Sequence, residues 1–132
     1  MKSRFVILHH QLPPGSPRPN HWDFLLESGA RCRTWALSEQ PCADRWIRAE
    51  ALPDHRLHYL TYEGPVSRGR GQVRRWDQGE FAWQEDTPSG VTVWLDGIRF
   101  SGQVRGEPID DGDWRFRFTA IPPEKRSRKE KP

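Results

Sequence analysis

The chain has 132 residues, the size of one domain, with a formal net charge of +3 and arginine outnumbering lysine. Its two cysteines, Cys32 and Cys42, are too few for a disulfide framework or a zinc ribbon and are expected to be buried small residues, and no apolar run approaches the ~20 residues of a membrane span. Met1 leads into a charged segment rather than an apolar leader, so a cytoplasmic protein with reduced thiols is expected.

Twelve prolines and eleven glycines argue against long helices and for short strands joined by tight turns. Seven tryptophans and six phenylalanines must then supply much of the core. In chain order, strands are expected over 4–10, 21–27, 33–37, 58–62, 72–76, 80–84, 91–95, 99–104 and 114–119. Residues 13–19, rich in proline, read as a loop, and residues 42–51 as one short helix starting near Ala43-Asp44. Turn signals stand at Ser28-Gly29, Asp77-Gln78-Gly79, Ser89-Gly90 and Asp96-Gly97, the last a strong two-residue hairpin signal. So many short strands with regular turns imply an all-β barrel or sandwich with at most one or two short helices. Residues 123–132 are basic and carry no apolar residue, so they are expected to form a disordered tail after a domain of residues 1–122.

All five histidines lie in the first half of the chain: His9, His10, His21, His55 and His58. On a strand the side-chain period is two, so His21 and Asp23 share one face while Trp22, Phe24 and Leu26 take the other and enter a core. With His10, this pair makes a credible first shell for Mn²⁺ or Zn²⁺, leaving positions open for water and substrate oxygens. A His-x-Asp pair on a strand is also commonly an exposed or hydrogen-bonded pair with no metal. His9 points away from His10, so only one of the two can join His21. The mild positive charge suits a phosphate-bearing partner.

Several separated motifs, in order, resemble the 3′-phosphoesterase domain of bacterial DNA ligase D. They begin with Arg4-Phe5-Val6-Ile7 ending in His10, then His21-Trp22-Asp23-Phe24-Leu25-Leu26-Glu27 and Thr34-Trp35-Ala36-Leu37. Asp54-His55-Arg56-Leu57-His58-Tyr59 and Tyr62-Glu63-Gly64 follow, then Trp76-Asp77-Gln78-Gly79 and, near the end, Phe100-Ser101-Gly102 and Trp114-Arg115-Phe116. The resemblance implies a compact β-barrel and a Mn²⁺-dependent activity that removes a terminal 3′-ribonucleotide or a 3′-phosphate from primer strands in DNA repair. It implies His10, His21 and Asp23 as metal ligands, with Zn²⁺ or another divalent transition metal as alternatives. By the same resemblance His55 and Tyr59 contact the reacting phosphate. Nucleic-acid 3′ ends are then the expected partner, together with separate ligase or polymerase proteins, and no membrane.

The chain departs from that pattern in three places. Where the family carries an arginine two residues after the aspartate, this chain has Leu25. An arginine there is a natural phosphate clamp, and losing one such donor typically costs on the order of 10²–10³ in rate. The connection between His10 and His21 is longer and proline-rich, and the Gly-rich segment reads Ser67-Arg68-Gly69-Arg70-Gly71. Arg68 or Arg70 is a candidate substitute phosphate ligand, with arginines on a solvated turn as an equally good reading. Two other readings stay open: an end-binding module of the same fold with weak or no turnover, and a phosphoesterase acting on a small phosphorylated substrate.

Overall fold

Residues 3–121 are described in a computed structural model. The expected tail lies outside the described residues. Nine strands follow one another: β1 (Ser3–Gln11), β2 (His21–Ser28), β3 (Arg31–Leu37), β4 (Trp46–Arg56), β5 (Gly64–Pro65), β6 (Gln72–Thr87), β7 (Gly90–Gly97), β8 (Ser101–Asp110) and β9 (Asp113–Ala120). A single 3₁₀ turn, η1, covers Leu57–Leu60. Antiparallel pairing runs β1-β2-β3-β4-β9-β8-β7-β6, and β6 returns to β1, so eight strands close into a barrel and the two-residue β5 adds at the start of β6.

Alternation along the strands sorts side chains into two apolar layers. The barrel interior takes Phe5, Ile7, Phe24, Leu26, Trp35, Ile47, Phe81, Leu95, Phe116 and Phe118, and the aromatics meet largely edge to face. The opposite face of β1 and β2 carries Val6, Leu8 and Leu25, which pack with Cys32, Leu60, Val66 and Val73 under η1 and the segment after it. That outer layer is the floor on which the candidate site is built.

Four sequence expectations are corrected. Residues 42–51 form no helix: Asp44 has φ +65°, outside the helical region, its N–H bonds Phe118 O, and Trp46 onward is β4, paired with β9. The 58–62 segment is not a strand but η1 and its exit, so His55 and Tyr59 do not share a strand face. Cys42 is exposed rather than buried, while Cys32 is buried and its thiol is pushed up to about 11, chiefly by burial. Asp77-Gln78-Gly79 is no turn; it lies inside one 16-residue strand, β6, longer than the short strands expected.

Asp77 explains that last error. The strand bulges at Trp76, since Ile7 stands opposite Asp77 but Leu8 opposite Arg75, and the buried carboxylate turns to the β7–β8 hairpin. Its Oδ1 accepts from the N–H groups of Gln78 (2.8 Å), Ile98 (2.9 Å) and Arg99 (2.9 Å), and its Oδ2 from Phe100 (3.0 Å). The hairpin turn itself is Ile98-Arg99, closed by Gly97 N–H to Phe100 O at 2.9 Å, two residues beyond Asp96-Gly97. Gly97 leaves the space this needs: a Cβ there would lie 2.5 Å from Asp77 Oδ2.

Candidate metal centre

The β1–β2 register places His10 opposite His21 and Leu8 opposite Asp23, all on the outer face. The proline-rich loop between them is no obstacle, because Leu12 N–H bonds Asn20 Oδ1 at 2.8 Å and closes its base. His21 and Asp23 are buried and the His10 side chain is 14% exposed. One donor atom from each of the three lies within 4.8 Å of the others, and this is the one such group among the described residues. His9 falls on the other side and stacks on Trp22, with ring centroids 4.4 Å apart.

Main-chain carbonyls set the tautomers. His10 Nε2 donates to Arg70 O at 2.7 Å and His21 Nδ1 donates to Pro19 O at 3.1 Å. In the neutral rings the lone pairs are then on His10 Nδ1 and His21 Nε2, which lie 3.1 Å from Asp23 Oδ2 and Oδ1 respectively. Oδ1 sits at ion-pair distance from His21 yet is a buried oxygen with no hydrogen bond. Two imidazole lone pairs and a carboxylate oxygen thus converge with no donor between them, an arrangement that a cation satisfies. The donor set, two nitrogens and a carboxylate, suits Mn²⁺ or Zn²⁺.

The same geometry shifts the proton equilibria. Burial pushes the Asp23 carboxyl up, but the two flanking histidines outweigh it and hold the carboxyl at about 2. Burial lowers His10, and the Asp23 carboxylate with the Arg70 carbonyl overcomes that, leaving it raised from its ordinary 6.5. The His10 contribution to stability is complete below 6.5 and is lost as pH rises through the raised folded value. The Asp23 contribution is complete above 3.8 and is lost only as pH falls towards 2. In EDTA the melting temperature therefore falls as pH rises above 6.5 through the raised His10 value, while added Mn²⁺ competes with the departing proton. The melting-temperature gap between Mn²⁺ and EDTA should widen with pH; a gap that stays flat over that interval would contradict the ligand assignment.

The three residues open into a cleft of about 640 Å³ whose opposite wall is the end of β4 and η1, including His55 and Tyr59. Their rings meet edge to face at 5.7 Å, across the strand-to-3₁₀ junction. His55 Nδ1 donates to Pro53 O at 2.9 Å, which leaves Nε2 as the free nitrogen. His58 packs between Tyr59 and Tyr62 and does not line the cleft. Arg70 reaches the cleft, but its guanidinium bonds Ser67 O at 2.9 Å and Ser67 Oγ at 3.1 Å, so its part in the site is the carbonyl that holds His10. Arg68, at φ +63°, is not part of the cleft wall. Three arginines that the sequence reading passed over, Arg18, Arg31 and Arg56, do line it. Arg56 lies in the Asp54-His55-Arg56-Leu57-His58-Tyr59 motif, and only the β3–β4 pairing brings Arg31 beside it.

A family model for the DNA ligase D 3′-phosphoesterase domain matches residues 13–120. The chain belongs to the DNA ligase D 3′-phosphoesterase domain family. The multifunctional non-homologous end joining protein LigD of Pseudomonas aeruginosa is 32% identical over 93 residues, 63% of this chain and 11% of that protein. The LigD proteins of Mycobacterium bovis and Mycobacterium tuberculosis are each 33% identical over 108 residues, 75% of this chain and 14% of theirs. The chain thus spans about one eighth of the length of these relatives. His10 precedes the span matched by the family model, whereas His21, Asp23, His55 and Tyr59 fall within it.

Against the phosphoesterase family pattern, Leu25 now has a structural meaning. It is fully buried among Val6, Leu8, Cys32 and Leu60, between Asp23 and Glu27 along the same strand face. Leu25→Arg would overfill this closely packed apolar layer and should cost about 1–3 kcal/mol in urea unfolding, rather than restore a clamp. A wild-type midpoint with raised turnover in that variant would count against this reading.

Proposed function

We propose that this phosphoesterase-family chain is a divalent-metal-dependent 3′-phosphoesterase that removes a 3′-phosphate or a terminal 3′-ribonucleotide from primer strands. The observation that carries the metal half of this reading is the buried Asp23 carboxylate, its Oδ1 without a hydrogen bond, set between His21 Nε2 and His10 Nδ1. His10, His21 and Asp23 hold the ion, Mn²⁺ by preference, and when bound it supplies Lewis acidity at a phosphoryl oxygen. His55, fixed through Nδ1, offers Nε2 to give a proton to a leaving oxygen or to hydrogen-bond a developing negative charge. The Tyr59 phenol adds a neutral donor, and the edge-to-face contact keeps the two rings in register. The backbone carbonyl of Arg70 orients His10 from the side away from the carboxylate.

The relatives are named as end-joining repair proteins. In that setting a 3′-hydroxyl product is what a polymerase or ligase needs, and we assign those steps to partner proteins. A second reading, an end-binding module with weak turnover, is favoured by one observation: Leu25 leaves the floor of the site without a guanidinium.

The test is steady phosphate release from a primer–template ending in 3′-phosphate, with Mn²⁺ and with EDTA. Release that EDTA abolishes, and that prefers the primer–template over a nucleoside 3′-monophosphate, is the expected result. Binding of Mn²⁺ and primer without release would favour the module.

A further inference from the structure

Arg31 stands directly opposite Arg56 in the β3–β4 register, and both line the cleft. Like charges facing each other across a strand pair cost stability. Several other barrel arginines are neutralised, Arg4 by Glu27, Arg33 by Asp86, and Arg105 and Arg115 by Glu107, while Arg74, Arg99 and Arg117 have no ion pair among the described residues but do not line the cleft. Among the described residues, neither Arg31 nor Arg56 has a carboxylate within 4.0 Å. Arg31 Nη2 donates instead to the backbone carbonyl of Asp54 at 2.7 Å, and the Arg56 guanidinium lies 5.8 Å from the Tyr59 ring centroid. Two cations are therefore held together, one by a neutral acceptor and one over an aromatic ring, with their charge left for an anion. The third newly found arginine, Arg18, already pairs with Glu50 at 3.3 Å.

The register also says how far this pair is from the metal ligands. Asp23 faces Ala36 on β3, and Arg31 lies five residues further along that strand, about 16 Å at the usual rise. At 3.4 Å of rise per nucleotide, and allowing for an arginine's reach, this corresponds to about three to four nucleotides. We infer that Arg31 and Arg56 form a clamp for internucleotide phosphates upstream of the 3′ end, so that the substrate is an oligonucleotide strand rather than a small phosphate. The inference rests on the proposed phosphoesterase reading and deepens it by placing strand recognition on β3 and β4, apart from the ligand hairpin.

The test uses the full chain in EDTA, with a labelled single-stranded DNA octamer ending in 3′-phosphate and a dinucleotide 3′-phosphate as competitor. Wild type, Arg31→Ala/Arg56→Ala and Arg31→Lys/Arg56→Lys are compared over a range of salt. The alanine pair should weaken octamer binding about tenfold at low salt and flatten the log–log salt slope by about 1.4, two contacts at ~0.7 each. The lysine pair should keep the slope, and dinucleotide affinity should change less than twofold in both. An unchanged slope in the alanine pair overturns the clamp, as does an equal loss on the dinucleotide, which would put the pair at the reacting phosphate. Mn²⁺-dependent phosphate release by wild type is measured alongside. Intact salt-dependent binding with no release would remove the phosphoesterase reading and leave the clamp standing.

Discussion

His21→Ala should reduce Mn²⁺ affinity by at least 100-fold and Mn²⁺-dependent phosphate release by about 10³ or more. The imidazole is buried at 5% exposure, it supplies one of the three convergent donor atoms, and its orientation is fixed through Pro19 O. Alanine leaves Asp23 flanked by His10 alone, and water entering the space cannot reproduce a fixed nitrogen donor. A moderate stability loss accompanies this, about 1–3 kcal/mol for stripping a buried carboxylate of a neighbour. Asp23→Asn keeps the shape of the site. It removes the charge that attracts the ion, so Mn²⁺ binding should fall, and the metal-free protein also loses the stability that the carboxylate contributes beside the two histidines. Titration calorimetry with Mn²⁺ and a phosphate-release assay read both. Metal-dependent release surviving in His21→Ala would sink the ligand assignment.

Asp77→Ala should be the most destabilising single truncation on the barrel wall, at about 3–5 kcal/mol out of a total that for small domains is about 5–15 kcal/mol. Four backbone N–H groups converge on this one buried carboxylate, and three of them belong to the Ile98-Arg99-Phe100 turn. Removing the acceptor takes the carboxylate from all four donors at once, leaving only the Gln78 O bond to Ile98 N–H, and the β6 bulge loses its reason to hold the β7–β8 hairpin. Asp77→Asn keeps Oδ1, which alone serves Gln78, Ile98 and Arg99, so it should cost only about 1–2 kcal/mol. Urea denaturation of the two variants gives the ranking. Because Asp77 does not line the cleft, Mn²⁺ affinity should be unchanged in both. A cost under about 1 kcal/mol for the alanine variant would mean that the turn is closed by its backbone alone.

The barrel was legible because alternation and turn residues speak directly about strands. Phe5, Ile7, Phe24 and Leu26 announce an inward face by period two, and that face is where they lie. Gln72–Thr87 was misread as two strands because Asp77-Gln78-Gly79 has turn chemistry that here serves a neighbouring hairpin. Residues 42–51 were misread for the opposite reason: weak local pattern yielded to pairing with β9, more than sixty residues away in the chain. Of the site, the His10, His21 and Asp23 grouping was readable from one hairpin, since strand period and motif agree. The opposite wall was not, because β4 bulges against β3 between Cys32 and Thr34 and then passes into a 3₁₀ turn. Arg31 and Arg56 carried no signal in the sequence, and only the fold shows that they line the cleft while the Arg70 guanidinium is held by Ser67.

Three site histidines, His10, His21 and His55, each give a ring proton to a backbone carbonyl, of Arg70, Pro19 and Pro53 respectively. No side chain decides which nitrogen is left free. In many metal sites a carboxylate does that work, and one substitution then ruins the site from a distance. Here the residues supplying the carbonyls can change identity over generations while the protonation pattern persists, provided the main chain keeps its path. The chemistry of this small domain is thus shielded from drift at its surroundings, and most exposed at the few positions that bend the backbone around it.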